Sequence, residues 1–104
     1  MADKIHPLKR YYRAVHRLRD DLKRSIYMEM YKGLGDTAVR TYRGIHEAVM
    51  RETDDVFVAS LVMEDPAPDM GEKQKVAMVN LLSGQLLSYL EFELHIDGDE
   101  NDDD

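Results

Sequence analysis

Apolar residues recur near the start of the chain at alternating intervals of three and four positions, which places them along one side of a helix. They are Leu8, Tyr11, Val15, Leu18 and Leu22, and Ile26 and Met30 extend the row. Pro7 suits an early helical position, and Gly33 and Gly35 follow the row. The pattern predicts a first helix from about residue 7 to 32.

A second apolar row follows these glycines, with Asp36 or Thr37 as the expected N-cap. Its members are Ala38, Tyr42, Ile45, Val49, Thr53 and Val56. The polar stripe on the opposite side continues without a phase break into Val56-Phe57-Val58, although this composition favours a strand. We therefore expect one helix that ends before Pro66.

A third apolar row follows the loop at 64–69, and Asp69 and Glu72 have the spacing of a capping box. The row consists of Val76, Val79, Leu82, Leu86, Leu90 and Leu94. Residues 90–96 also alternate between apolar and polar side chains, which is typical of a half-buried strand. A third helix is the favoured interpretation. Strands near 55–63 and 89–96, in an α+β fold, are the alternative.

Three long helices joined by short loops predict an all-α, antiparallel three-helix bundle that forms a single domain over residues 1–96. The expected core comprises Leu8, Tyr11, Val15, Leu18, Leu22, Ile26, Tyr42, Ile45, Val49, Val56, Val79, Leu82, Leu86 and Leu90. Some apolar positions remain beyond what one thin bundle can bury, namely Val58, Val62, Leu81 and Leu87. Surplus aliphatic side chains often mark a subunit contact, so we expect a homodimer, with up to six helices in one bundle.

Charge is divided unevenly between the two halves of the chain. Residues 1–51 contain 12 Lys and Arg against 6 Asp and Glu, whereas residues 52–104 contain 2 against 15. The opposite net charges of the two halves can compensate each other within one subunit or between subunits. Residues 97–104 contain no apolar side chain, and we expect them to form a disordered acidic tail.

Several kinds of chemistry find no support in the sequence. The absence of cysteine excludes disulfides, thiolate zinc sites and iron–sulfur clusters. A His-Glu-x-x-His zinc motif is missing because Met50 stands where His46-Glu47 would require a second histidine. No apolar run is long enough for a bilayer span or a signal peptide. We expect a cytoplasmic protein with no metal, no cofactor and no membrane partner.

Four arginines lie on the side of the first helix opposite its apolar row: Arg10, Arg13, Arg17 and Arg24. With tyrosines interleaved, this side could contact nucleic-acid phosphates and bases. The acidic half of the chain would compete for the same surface. The favoured function is therefore a small non-catalytic helical protein for binding or regulation, with a protein partner, and nucleic-acid binding is the alternative.

Small residues form two further rows at helical spacing. The first comprises Thr37, Thr41, Gly44 and Ala48, and the second comprises Asn80, Gly84 and Ser88. Such rows indicate close packing of helices, and a ligand or partner groove is the alternative.

Two resemblances to known proteins complete the sequence evidence. The spacing Arg-x5-His, at Arg10 and His16 and again at Arg40 and His46, resembles the motif of the all-α HEPN ribonucleases. In a continuous helix the two side chains of each pair would lie about 120° apart, so a ribonuclease is the least favoured function. The excess of Asp over Glu, 13 to 8, and the terminal Asp run resemble the composition of small haloarchaeal cytosolic proteins.

Overall fold

The computed structural model describes residues 6–95, which form four helices and no strand. The helices are α1 (Lys9–Met28), α2 (Leu34–Glu52), α3 (Val56–Ala59) and α4 (Glu72–Glu93). The three long helices pack against one another, so the all-α bundle is confirmed. The alternative strands at 55–63 and 89–95 are absent from this part of the chain. Residue 96 and the acidic tail predicted at 97–104 lie outside the described residues.

The direction of each helix follows from contacts at its two ends. Gly35 and Asp36, at the start of α2, bond to residues at the start of α4, and Thr53, just after α2, contacts Tyr89 near the end of α4. The helices α2 and α4 therefore run in the same direction. The connection of α1 to α2 through a short turn makes α1 antiparallel to both. The chain returns to the start of the bundle through a long crossover, residues 53–71.

The first helix ends at Met28, four residues before its predicted end. Glu29 adopts the left-handed conformation, with φ 53. Its amide donates to the carbonyl of Ile26, and the amide of Met30 donates to that of Ser25 over 3.0 Å. This is a Schellman closure, in which a left-handed residue satisfies the last carbonyls of the helix. Ile26, in the last turn of α1, is 37% exposed, and its predicted place in the core is wrong.

The prediction of one second helix, capped at Asp36 or Thr37 and continuing as far as Pro66, is wrong at both ends. The helix α2 begins at Leu34, after Gly33 in the left-handed conformation, and ends at Glu52. Thr53 is extended and its hydroxyl accepts from the amide of Asp55. Asp55 then caps α3 by accepting from the amide of Phe57 over 2.7 Å. These side-chain bonds to the backbone compete successfully with helix continuation.

The crossover folds back along α2 and is held there by side chains of that helix. The hydroxyl of Tyr42 donates to the carbonyl of Leu61 over 2.6 Å, and the Nε2 of His46 bonds to the carbonyl of Val58 over 2.7 Å. Because a carbonyl oxygen only accepts, Nε2 of His46 carries the hydrogen. The guanidinium of Arg43 likewise donates to the carbonyl of Met63. Each of these three side chains of α2 thus bonds to a backbone carbonyl of the crossover.

This folding back changes the membership of the core. Val58, expected at a subunit contact, is fully buried within the chain. Leu61 and Met63 are almost fully buried. Val56, expected in the core, is 82% exposed instead. Of the other expected members, nine are buried, and Tyr11, Ile45 and Leu82 pack partly buried against them. The buried nine are Leu8, Val15, Leu18, Leu22, Tyr42, Val49, Val79, Leu86 and Leu90.

The start of α4 lies against the start of α2. Gly71 rather than Asp69 is the N-cap, and its amide donates to the side chain of Gln74, so the predicted capping box does not form. Glu72 instead accepts the amide hydrogen of Gly35 on the neighbouring helix. None of the helices in residues 6–95 is both long and apolar enough to traverse a lipid bilayer.

Candidate binding surface

The four arginines singled out in the sequence are all exposed on α1, and we call Arg10, Arg13, Arg17 and Arg24 the basic face. Their spacing of three, four and seven residues keeps them on one side of the helix. Arg24 pairs with Asp21 at 3.2 Å, and the guanidinium of Arg10 lies over the ring of Tyr11. The helix α1 contains seven cationic residues and two acidic ones, so its surface is strongly positive.

A fifth arginine of α1 serves the bundle and does not belong to the basic face. The Nη1 of Arg19 donates to the backbone carbonyl of Asn80 over 2.7 Å and to its side-chain oxygen over 3.2 Å. Gly84 makes room for it, because a Cβ there would lie 2.7 Å from the same nitrogen. An arginine side chain of α1 therefore packs against the second small-residue row.

Beside the basic face, a groove runs between α1 and α2. The crossover covers α2 on its other side, and α1 packs less closely against α2 than either helix packs against α4. A cavity of about 370 Å³ opens in the groove, and we call it the α1–α2 groove. Its apolar lining consists of Ala14, Leu18, Leu22, Leu34, Ala38 and Ile45. Arg17 of the basic face and Asp21 stand at its edge.

The groove widens towards the turn that joins the two helices. A second cavity of about 620 Å³ shares Leu34 and Thr37 with the first and is lined in addition by Met28, Met30 and Tyr31. Arg24 of the basic face borders this wider part. Apolar side chains thus lie next to cationic ones in two adjoining cavities, which Asp21 and Glu29 also line.

Part of the first small-residue row lies in this groove and makes no close helix contact. Thr37 and Thr41 line the groove, and a Cβ at Gly44 would have no neighbour within 4 Å. The tight contact is at Gly35, where a Cβ would lie 3.0 Å from the Cα of Glu72. The sequence pattern indicates Gly35 only as the end of the first helix and does not predict this contact.

The histidines do not form a common centre with the arginines six positions before them. His46 is buried and bonded to the carbonyl of Val58, whereas Arg40 is exposed. His16 contacts Asp20 at 3.5 Å and the ring of Tyr12, while Arg10 lies over Tyr11. Within residues 6–95, no group of three His, Asp or Glu side chains is arranged to hold a metal ion.

Comparisons of the chain with family models, with curated proteins and with solved structures give no match. The resemblance in composition to haloarchaeal proteins therefore stays a prediction.

Proposed function

We propose that this chain is a non-catalytic binding protein that receives an acidic, amphipathic helix of a partner protein in the α1–α2 groove. The observation that carries the proposal is the adjacency of the partly exposed apolar groove residues Ala14, Leu34 and Ile45 to the exposed Arg17 and Arg24. An amphipathic helix buries its apolar side chains in such grooves. Acidic residues on its polar side would lie against the arginines, where charged pairs steer encounter and fix orientation.

The chemistry of the groove favours a protein segment over a nucleic acid. Phosphates would contact the basic face without using the aliphatic floor, and bases stack on flat side chains rather than on branched aliphatic ones. Nucleic-acid binding through Arg10, Arg13, Arg17 and Arg24 is the second candidate, because all four are exposed together.

A display selection with random 16-residue peptides tests the proposal directly. The full chain is the bait, and the selected peptides are then measured against the Ile45→Glu variant, because this change places a charge in the groove. We expect enrichment of peptides with apolar residues at helical spacing and an excess of Asp and Glu. Enriched peptides should bind the Ile45→Glu variant at least tenfold more weakly. Arg51→Glu, at an exposed position of α2 outside the groove, is the matched control.

The same binding assay separates the alternatives. Labelled single-stranded RNA and duplex DNA are measured at low and high salt, because phosphate contacts make affinity fall steeply with salt. Nucleic acid bound more tightly than any selected peptide, and lost in an Arg13→Glu and Arg17→Glu double variant, would replace the proposal with the second candidate. Peptides without an acidic excess, or with equal affinity for Ile45→Glu, would overturn it.

A further inference from the structure

The α1 side of the α1–α2 groove presents charged and apolar side chains in a fixed order. Arg17, Asp21, Arg24 and Met28 are separated by four, three and four positions, so they form one row along α1, which we call the groove edge. All four line the two cavities of the groove. The side of the groove that α2 contributes is uncharged and consists of Leu34, Thr37, Thr41 and Ile45. The groove edge is therefore the side on which charge can select an occupant.

The uncompensated charge of the groove edge is at Arg17. The carboxylate of Asp21 pairs with Arg24, with 3.2 Å between the charged atoms. Arg17 is exposed and forms no ion pair within residues 6–95. A carboxylate of an occupant would have Arg17 to itself, whereas it would compete with Asp21 for Arg24. The narrower cavity thus offers one cation to an acidic side chain.

The other end of the groove edge is suited to a large uncharged side chain. Met28 and Met30 border the wider cavity together with Tyr31, and the two methionines are 56% and 62% exposed. Flexible thioether side chains adapt to the shape of a partner and are frequent on binding surfaces. Glu29 and Lys32 also line this cavity, and their opposite charges offset each other. Bulk rather than charge is therefore what this end can recognise.

The separation of the two ends matches the repeat of a helix. Arg17 and Met28 are eleven positions apart in α1, which corresponds to about 16 Å along the helix axis. Eleven residues of a helix turn through roughly 1100°, within about 20° of three complete turns. A second helix that lies along the groove can therefore direct two side chains eleven positions apart to both ends at once.

We infer that the partner helix carries a two-point motif, in which one Asp or Glu contacts Arg17 and a large apolar residue eleven positions away enters the wider cavity beside Met28. The inference rests on the proposed function and adds which end of the groove recognises charge and which end recognises bulk. Between the two points the partner should be uncharged, because a charge of either sign would lie close to one like charge of the Asp21–Arg24 pair.

An exchange of charges tests the acidic point of the motif. The probe is a synthetic 16-residue peptide from the selection described above whose binding depends on Ile45. Arg17→Glu should weaken its binding at least tenfold, because two carboxylates would then face each other. Replacing the acidic residue of the peptide with Lys should restore binding to the Arg17→Glu variant. Lys23→Glu, at an exposed position of α1 that lines neither cavity, makes the same change in net charge and is the matched control.

A double-mutant cycle tests the apolar point. Replacing the large apolar residue of the peptide with Ala should weaken binding to the wild-type chain roughly tenfold. The same replacement should cost much less in the Met28→Glu variant, because that variant has already lost the contact. Tyr27→Glu, at the neighbouring position, which is 88% exposed and lines neither cavity, is the matched control and should keep the full loss. Equal losses in the wild type and in Met28→Glu would overturn this point.

The results distinguish failure of the motif from failure of the proposed function. Peptides that depend on Ile45 but bind the Arg17→Glu and Lys23→Glu variants equally well would overturn the motif and leave the proposed function in place. Restoration by the Lys-containing peptide in both variants would show an effect of net charge alone and would also overturn the motif. If no selected peptide depends on Ile45, the proposed function is wrong and the motif with it.

Discussion

The amide of Gly35 donates its hydrogen to the carboxylate of Glu72, which joins the first turn of α2 to the first turn of α4. The absence of a side chain at Gly35 permits this approach, because a Cβ there would lie 3.0 Å from the Cα of Glu72. A free backbone amide in the first turn of one helix is thus satisfied by the first residue of another.

Gly35→Ala should therefore destabilise the fold by roughly 1–3 kcal/mol, because the added methyl group pushes α4 away from α2. Gly44→Ala is the matched control on the same helix, where a Cβ meets nothing within 4 Å. It should stabilise the fold by roughly 0.5–1 kcal/mol, since alanine is the better helix former. Urea unfolding of both variants is the measurement, and equal effects would contradict the packing described here.

The buried hydroxyl of Tyr42 should contribute to stability through the carbonyl of Leu61. Tyr42→Phe leaves that carbonyl without its donor, at an expected cost of roughly 1–3 kcal/mol. Tyr27→Phe, at an exposed position, is the control and should be neutral within roughly 0.5 kcal/mol. A neutral Tyr42→Phe would show that water replaces the lost donor.

Tyr42 should also make stability depend on alkaline pH. Burial raises the pKa of Tyr42 above its ordinary value, so the folded chain holds this proton more tightly than the unfolded chain. Its contribution is complete below the unfolded pKa of about 10 and declines as pH rises above it. Urea unfolding between pH 8 and 11 should show a smaller decline in Tyr42→Phe than in the wild type, and equal slopes would contradict this.

Asp36 and Lys75 join α2 to α4 at the surface, with 2.7 Å between the charged atoms. The hydrogen bond from Lys75, and then its charge, hold the pKa of Asp36 below its ordinary value. The contribution of Asp36 is therefore present above the unfolded pKa of about 4 and is lost as pH falls through the folded value. In Lys75→Gln, an NMR titration should find the pKa of Asp36 closer to its ordinary value. An unchanged pKa would remove Lys75 as the cause.

The acidic tail should leave the basic face accessible. Deleting residues 97–104 removes six acidic residues, and the formal charge changes from −7 to −1. A segment without apolar side chains gains little from exposed ion pairs against its ordering entropy, so heparin retention at low salt should rise only modestly with the change in net charge. The comparison uses the full chain and the 1–96 chain. Strong retention of the 1–96 chain alone would show that the tail covers Arg10, Arg13, Arg17 and Arg24.

The helical rows of the sequence predict most of the bundle, because burying one apolar side is what aligns α1, α2 and α4. They do not predict the end of α2. The polar stripe keeps its helical spacing past Thr53 and Asp55, although the side chains of these two residues accept hydrogen bonds from nearby backbone amides. That local competition reverses the chain, buries Val58 and exposes Val56. The exposed arginines were predictable from spacing. The groove beside them was not, because it depends on which side of α2 the crossover covers.

The crossover also has a consequence for the order in which the fold forms. The bonds that hold it to α2 join residues 12, 19 and 20 positions apart, whereas Arg19 and Asn80 are 61 positions apart. Short loops close faster and at a lower entropic cost than long ones. We therefore expect α2 and residues 58–63 of the crossover to pack against each other early in folding. Mutations at Tyr42 should then slow folding, while mutations at Arg19 should mainly speed unfolding.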